Sequence, residues 1–331
     1  MIQAVCPLCG SPAPYAFLCA PRLDQVSGAE YTYLRCPDCG FVFLDPAIES
    51  EAAHYEESGY YSHRPPIMGM AIGPMMGWFN RLRLWMVERA WRRSPGRLLD
   101  IGCGRGRFLA CARDAGWECM GVEPMERSWR VAVEEYGLQV MTEPLRDDHF
   151  APESFEVVTL WHTLEHIPDP LHVMRNVQRW LVSGGLAVIA VPNIASLQSL
   201  LGGPLWFHLD PPRHLSHFTP QTAASLLTSC GFETPEVYFF YPELNEFGMV
   251  QTILNRLGFS PNLLFNLLKR NRDGLPSSKA ALVLNLVGVL LFLCMTWPLL
   301  LLMTWLEEWV GRGGTMVLMA RKPPEGLGER Q

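Results

Sequence analysis

Positive charge is in short supply in this 331-residue chain: 27 Lys and Arg stand against 33 Asp and Glu, a net charge of −6. A protein that grips nucleic acid by neutralising phosphates needs the opposite balance, so no nucleic-acid partner is expected. An apolar leader is missing too, because Met1 to Val5 runs straight into a cysteine motif. The cysteines lack the even spacing of an extracellular disulfide framework, which points to reduced thiols in a cytoplasmic setting. The dinucleotide signature G-x-G-x-x-G is absent as well. Its third glycine comes one position early, at Gly106, and Arg107 stands in its place.

What is present is organised around Leu98-Leu99-Asp100-Ile101-Gly102-Cys103-Gly104-Arg105-Gly106-Arg107-Phe108. Apolar residues lead into Asp100, three glycines follow at alternate positions, and an amphipathic run through Leu109, Cys111 and Ala112 begins at once. That order predicts a buried strand, a tight turn and a helix, the opening of an α/β nucleotide-binding unit. Glycine is needed where backbone bends sharply and a ligand must touch it without a Cβ in the way. Asp100, inside the turn, would repel a pyrophosphate but attract an ammonium or sulfonium group. Glu123 ends the next apolar run, from Cys119 to Val122, and is placed to accept both hydroxyls of a ribose.

The core alternates as a doubly wound sheet should. Strands are predicted at 97–101, 118–123, 138–141, 155–161 and 186–191, with helices at 107–115, 125–136 and 171–182. The pair Gly184-Gly185 is expected to end the last helix. Residues 236–241 and 315–321 fit a sixth and a seventh strand. Ligands of open parallel sheets bind at the carboxyl ends of strands, which selects 100–106, Glu123, and the stretches after Met141 and Trp161. A helix over about 75–93 is expected to present Phe79, Leu82, Met86 and Ala90 on one side.

The D-x-G-x-G-x-G turn with an acid ending the second strand resembles the class I S-adenosylmethionine-dependent methyltransferases. The strings Leu164-Glu165-His166-Ile167-Pro168-Asp169-Pro170 and Pro212-Arg213-His214-Leu215-Ser216-His217-Phe218-Thr219 resemble segments of its ubiquinone-biosynthesis-like, small-molecule branch. The resemblance implies a seven-stranded Rossmann-like sheet and S-adenosylmethionine as cofactor. It implies cofactor contacts from Asp100, Gly102, Cys103, Gly104, Gly106, Phe108, Glu123, Pro124, Trp161, His162 and Glu165. It also implies an acceptor-side loop over 206–220. Transfer to oxygen or carbon needs a proton removed, and histidine titrates near neutrality. His214 is the first choice for that base, His217 the second, and His166 a third. In the quinone O-methyltransferases of the branch, acids and a histidine after the fourth strand are associated with a metal. His162, Glu165 and His166 stand there, so a divalent metal stays open. The N/D-P-P-Y/F signature of amino-directed methyltransferases is absent, which disfavours methylation of amines and bases.

Residues 1–45 read as a separate module. Cys6-Pro7-Leu8-Cys9-Gly10 and Cys36-Pro37-Asp38-Cys39-Gly40 are two C-P-x-C-G knuckles about 26 residues apart. Each lets two thiolates converge on one ion, so the four cysteines predict a closed, structural zinc site like a zinc ribbon rather than a redox pair. Cys19 is left as a spare thiol. Residues 46–95 are a linker and capping helix, 96–241 the core, 313–322 its final strand and 323–331 a tail.

Between strands six and seven, residues 242–312 form an insert far longer than the connection requires. Its first half is amphipathic (Met249, Ile253, Leu257, Leu263, Leu264, Leu267, Leu268) and leads to a basic cluster of Lys269, Arg270, Arg272 and Lys279. About 27 residues, Ala280 to Leu306, then pass without a charge, enough to reach across a hydrocarbon core. Both ends of the insert enter one sheet, so the run cannot cross a bilayer an odd number of times. With Pro298 past its middle, a re-entrant hairpin or interface-lying helix pair is expected, with 249–268 resting on the same surface. A buried core element or a dimer interface is the alternative.

The reading is an α/β, doubly wound, membrane-associated cytoplasmic enzyme that methylates a hydroxyl of a lipidic or lipid-linked small molecule. Sugar-nucleotide C-methyltransferases share the pairing of cysteine module and methyltransferase and are the nearest alternative. A zinc-ribbon ribosomal RNA methyltransferase would want a basic, aromatic-lined surface and ranks low.

Overall fold

The computed structural model describes residues 5–21, 23, 30–45, 66–269, 271 and 274–324. The linker expected over 46–65, and Arg270 and Arg272 of the basic cluster, lie outside the described residues.

In chain order the elements are β1 (Tyr15–Pro21), β2 (Glu30–Arg35), β3 (Val42–Leu44), α1 (Pro66–Trp91), β4 (Arg97–Ile101), α2 (Arg107–Asp114) and β5 (Glu118–Val122). There follow α3 (Glu126–Glu134), β6 (Gln139–Met141), β7 (Phe155–Trp161), α4 (Pro170–Trp180), β8 (Leu181–Pro192) and α5 (Leu197–Gly202). The chain closes with β9 (Ser216–His217), α6 (Pro220–Ser229), β10 (Glu236–Tyr238), α7 (Asn245–Arg256), α8 (Leu263–Lys269), α9 (Lys279–Trp309) and β11 (Thr315–Arg321). Contacts divide it into two compact units.

The first unit comprises 65–191, 223–237 and 317–331. It is built on a seven-stranded sheet of order β10-β11-β8-β7-β4-β5-β6. The pairs β4–β5, β4–β7, β5–β6 and β7–β8 are parallel. Central strands covered on both faces must be apolar throughout, and Leu98, Leu99, Val157, Val158, Val188 and Ile189 are all fully buried. The order reverses at β4, so the turn leaving β4 stands at the switch point where open sheets bind ligands.

Two local expectations are corrected. The helix expected to run to 182 stops at Trp180, and Gly184-Gly185 lie inside β8 rather than at a helix end. Leu181 is fully buried opposite Phe155, so sheet pairing outweighs the helical pattern there. On α1 the buried positions are Asn80, Leu84, Met86, Val87 and Trp91, so of the expected face only Met86 is buried, while Phe79, Leu82 and Ala90 are half-buried. Asn80 can join an apolar face because its amide donates to the Met76 carbonyl at 2.9 Å.

The second unit comprises 1–64, 192–222 and 238–316. Its sheet has the order β1-β2-β3-β9, with Val42 opposite His217 and Phe43 opposite Ser216. The N-terminal strands therefore share a sheet with residues far along the chain. Their core joins Tyr31, Tyr33, Val42 and Leu44 to Trp206 and Leu209.

The insert also lies in this unit and departs from expectation in two ways. The uncharged run forms no hairpin: α9 is one continuous helix of 31 residues that carries Pro298 inside it. The 249–268 segment does not rest on an outer surface as a whole, since α7 is buried nearly all round, with Met249, Gln251, Thr252 and Leu254 at 1% exposure or less. A buried core role for α9 is equally excluded, because only 11% of its most apolar stretch is buried.

Candidate functional site

Everything at the carboxyl edge of β4 and β5 follows from the glycine turn. Its backbone folds tightly, with the N–H groups of Gly102 and Cys103 both donating to the Val122 carbonyl at 2.8 and 3.1 Å. Gly102, Gly104 and Gly106 all have positive φ, at 74°, 55° and 73°. The three glycines do different work. A Cβ on Gly102 would meet Thr163 at 2.3 Å, and one on Gly106 would meet Leu138 at 2.5 Å and Ala132 at 2.8 Å, so these two serve packing. A Cβ on Gly104 would meet nothing within 4 Å. Gly104 is the glycine that faces open space, as a cradle for a cofactor requires.

Two acids flank the cradle. Glu123, 6% exposed, accepts at 2.9 Å from the Gly104 N–H through Oε2 and at 2.9 Å from the Met125 N–H through Oε1. Burial raises its pKa, opposed by those two N–H bonds. The carboxylate placed for a ribose thus also holds the turn in shape. Asp100, 2% exposed, accepts a hydrogen bond at 2.7 Å from the Thr159 hydroxyl. Burial pushes it up to about 7, against the pull of Thr159 and Arg83.

Around the acids, Phe108 packs edge-on against Trp161, with centroids 5.4 Å apart. The Arg83 guanidinium, from α1, lies 5.4 Å from the Trp161 ring. Cys103 is buried and its thiol is pushed far up by that burial, so it stays protonated. Pro124 is exposed beside Glu123. After β7, His162 takes φ 53° and its Nδ1 lies 3.3 Å from Oε1 of the fully buried Glu165. Glu165 and His166 form a single 3₁₀ turn, and the cap of α4 falls to Asp169, which accepts from the His172 N–H at 2.9 Å. Thr159 and Arg83 were not singled out from sequence. Thr159 is found only through the register that sets it opposite Asp100, and Arg83 only through the orientation of α1.

His214 and His217 belong to the second unit. His214 Nδ1 lies 2.7 Å from the His208 carbonyl oxygen. A carbonyl can only accept, so Nδ1 carries the hydrogen and Nε2 keeps its lone pair in the neutral ring. That Nε2 is 3.9 Å from Asp210, whose carboxylate is clamped by Arg213. His217 stacks edge-on with Tyr33 at 4.9 Å and lies 5.8 Å from the His214 ring.

The four cysteines of the knuckles converge in the same unit. Their sulfurs all lie within 4.8 Å of one another, with Cys6 and Cys39 3.6 Å apart and Cys9 and Cys36 3.5 Å apart. A tetrahedron of sulfurs at zinc distance has edges of about 3.8 Å, so the donor set fits that ion. The two knuckles repeat one geometry: Cys6 N–H donates to Ser11 and Cys36 N–H to Phe41, each at 2.9 Å. Burial works against ionising Cys36, yet bonds from the Cys39 and Asp38 backbone and the neighbouring thiols bring it to about 7.

A parallel sheet reversing at β4, a glycine turn leaving that strand and an acid ending the next define a Rossmann-like nucleotide-binding methyltransferase. Residues 78–237 match the sequence profile of a family described as a methyltransferase domain. It is 28% identical over 170 residues to the ubiquinone biosynthesis O-methyltransferase of Thiobacillus denitrificans, covering 48% of this chain and 73% of that one. It is 33% identical over 121 residues to the protein of the same description from Bordetella bronchiseptica, covering 34% of this chain and 50% of that one. The chain thus spans about half the length of several curated relatives it matches. Among solved structures, a SAM dependent methyltransferase from Archaeoglobus fulgidus is similar with TM-score 0.46 and 19% identity, over 74% of this chain and 92% of that one.

Proposed function

We propose that the chain transfers the methyl group of S-adenosylmethionine to a hydroxyl of a lipidic or lipid-linked small molecule. The observation that carries this reading is the open face of Gly104 between two buried acids. When bound there, S-adenosylmethionine supplies an electrophilic methyl group on a sulfonium. Asp100 contributes negative charge that favours such a cation, and Glu123 offers the ribose the carboxylate lone pairs its two N–H donors leave over. The chain's remaining task is to orient the acceptor and take its proton. His214 is the first choice, because its Nδ1–H donates to the His208 carbonyl, which fixes the tautomer that carries the lone pair on Nε2. His217 and His166 follow.

The Cys6, Cys9, Cys36 and Cys39 cluster holds one zinc ion in a structural role, with no ligand position left for chemistry. A lipidic acceptor is supported by the relatives, which are described as enzymes of ubiquinone biosynthesis, and by the apolar surface of α9. The protein works at the cytoplasmic face of a membrane and takes no nucleic acid. The cysteine module favours one second reading, C-methylation of a sugar nucleotide.

Purified protein with labelled S-adenosylmethionine, supplied with extracts from cells with and without the gene, separates the two. Label in the lipid fraction is the expected result. Label in sugar nucleotides gives the second reading, and absence of cofactor binding in calorimetry ends both.

A further inference from the structure

Helix α9 has two faces of opposite character. One side is braced along its whole length: Leu282, Val289, Leu293, Leu300, Thr304 and Glu307 face α7, α8 and their surroundings. Near its start, Asn285 Oδ1 accepts from the Ser260 N–H at 2.9 Å. Near its end, Glu307 accepts from the Gln198 backbone and side-chain N–H groups at 2.9 Å each, and Glu308 accepts from Asn245 at 2.7 Å. Just past it, the Arg312 carbonyl accepts from Leu197 N–H at 3.2 Å.

The other side is bare. Leu284, Leu291, Met295, Leu302, Trp305 and Trp309 are between 50% and 76% exposed and fall at helical spacings of three, four or seven positions over about seven turns. The side chains that soften an apolar helix for water are turned inward. Asn285 also donates to Ala281, Thr296 donates to Phe292 and Thr304 to Leu300, all three bonds to carbonyls of the same helix. What the bare face offers outward is aliphatic surface and indole rings, with the exposed Lys279 at its start.

We infer that α9 lies flat in one leaflet of an anionic phospholipid bilayer, bare face down, and does not cross it. A second copy of the chain is the competing occupant, but a partner helix covers a narrow seam and protein interfaces carry a polar rim. This arc is wide and has no such rim, whereas tryptophans and a lysine at the margins of an apolar face match the bilayer interface. Crossing is opposed by the bracing. Both ends of α9 are hydrogen-bonded to one folded unit, and α7 cannot follow it into hydrocarbon. Thr252 of α7 accepts from the Phe207 N–H at 3.1 Å and Asn255 donates to the Leu205 carbonyl at 3.1 Å, fastening that helix to the protein. A helix of 31 residues is about 46 Å long, so lying flat gives it a long footprint.

The inference deepens the proposal that the enzyme works at a membrane, and the test separates the two. Full-length protein is sedimented with vesicles of phosphatidylcholine and phosphatidylglycerol. Binding is expected, with about a tenfold or greater loss in the double variant Met295→Glu, Leu302→Glu and none in Leu200→Glu, an exposed leucine on α5. Thermal unfolding of the same samples, matching the parent protein, verifies that the variants are folded. Lys279→Cys and Val310→Cys, each in inside-out membrane vesicles from expressing cells, are then treated with an impermeant maleimide and the labelled peptide identified. Both sites label from the cytoplasmic side if α9 lies flat. One protected end means a crossing helix, which overturns this inference and leaves membrane association standing. No vesicle binding by the unaltered chain ends both, and a solution dimer broken by Met295→Glu would assign the face to a second copy.

Discussion

The hydroxyl of Tyr33 donates to the carbonyl oxygen of His214 at 2.9 Å, across 181 positions of sequence. The same hydroxyl lies 2.9 Å from the Leu209 carbonyl, so one buried phenol clamps both ends of the segment that bears His214. The ring is fully buried, and burial pushes its pKa well up, which keeps the proton on oxygen for donation. Beside it, β9 completes the sheet of the cysteine module, and Leu44 N–H donates to the Leu215 carbonyl at 2.9 Å. The module is a wall of the histidine segment rather than an appendage.

Tyr33→Phe should therefore remove the one O–H that these two buried carbonyls share and cost about 1–3 kcal/mol in denaturant unfolding. Amide hydrogen exchange over 207–218 should speed up in the variant. An unchanged exchange pattern would refute the clamp.

Zinc should behave as a strut of the same wall. Metal analysis of reduced protein should find about one zinc per chain, and Cys36→Ser should release it. Release should loosen 207–218 while cofactor affinity, measured by calorimetry, holds. A parallel loss of cofactor binding would argue against the division into two units.

The glycine turn permits a sharp contrast. Gly106→Ala forces a Cβ to 2.8 Å from the Ala132 Cβ at φ 73° and should cost about 1–3 kcal/mol of stability. Gly104→Ala meets open space and should cost only about 1–2 kcal/mol for its left-handed backbone, yet weaken S-adenosylmethionine at least as much as Gly106→Ala does. Thermal melts and calorimetry on the pair give the answer. Normal cofactor affinity in Gly104→Ala would remove it from the site.

Asp100 makes stability and binding respond to pH in opposite senses. Its folded pKa, about 7, lies above the unsupported value of 3.8 because the carboxyl is buried. Between those values the folded chain holds a proton the unfolded chain has lost. Stability present below about 3.8 is thus lost as pH rises through about 7, by up to about 1.4 kcal/mol per unit. A cationic cofactor prefers the ionised carboxylate, so its affinity should rise over the same range. Asp100→Asn should flatten both slopes, and a pH-independent wild type would contradict the assignment.

Much of this was legible in the chain because it is local. Strand, glycine turn and helix follow one another within eleven residues from Leu98 to Phe108, each knuckle occupies five, and a charge-free run is visible by inspection. Such patterns depend on neighbours that the backbone holds at fixed spacing. The rest required distant segments to meet. Thr159 finds Asp100 only through the β4–β7 register, β9 joins the cysteine module only by long-range pairing, and which residues of α1 are buried is set by what packs against the helix. For α9, composition alone showed a long uncharged run, read as a hairpin or helix pair; that it is one continuous helix came from the tertiary structure. Which side is braced and which is bare was decided by α7 and α8, because burial is a property of what packs against a residue and not of the residue itself.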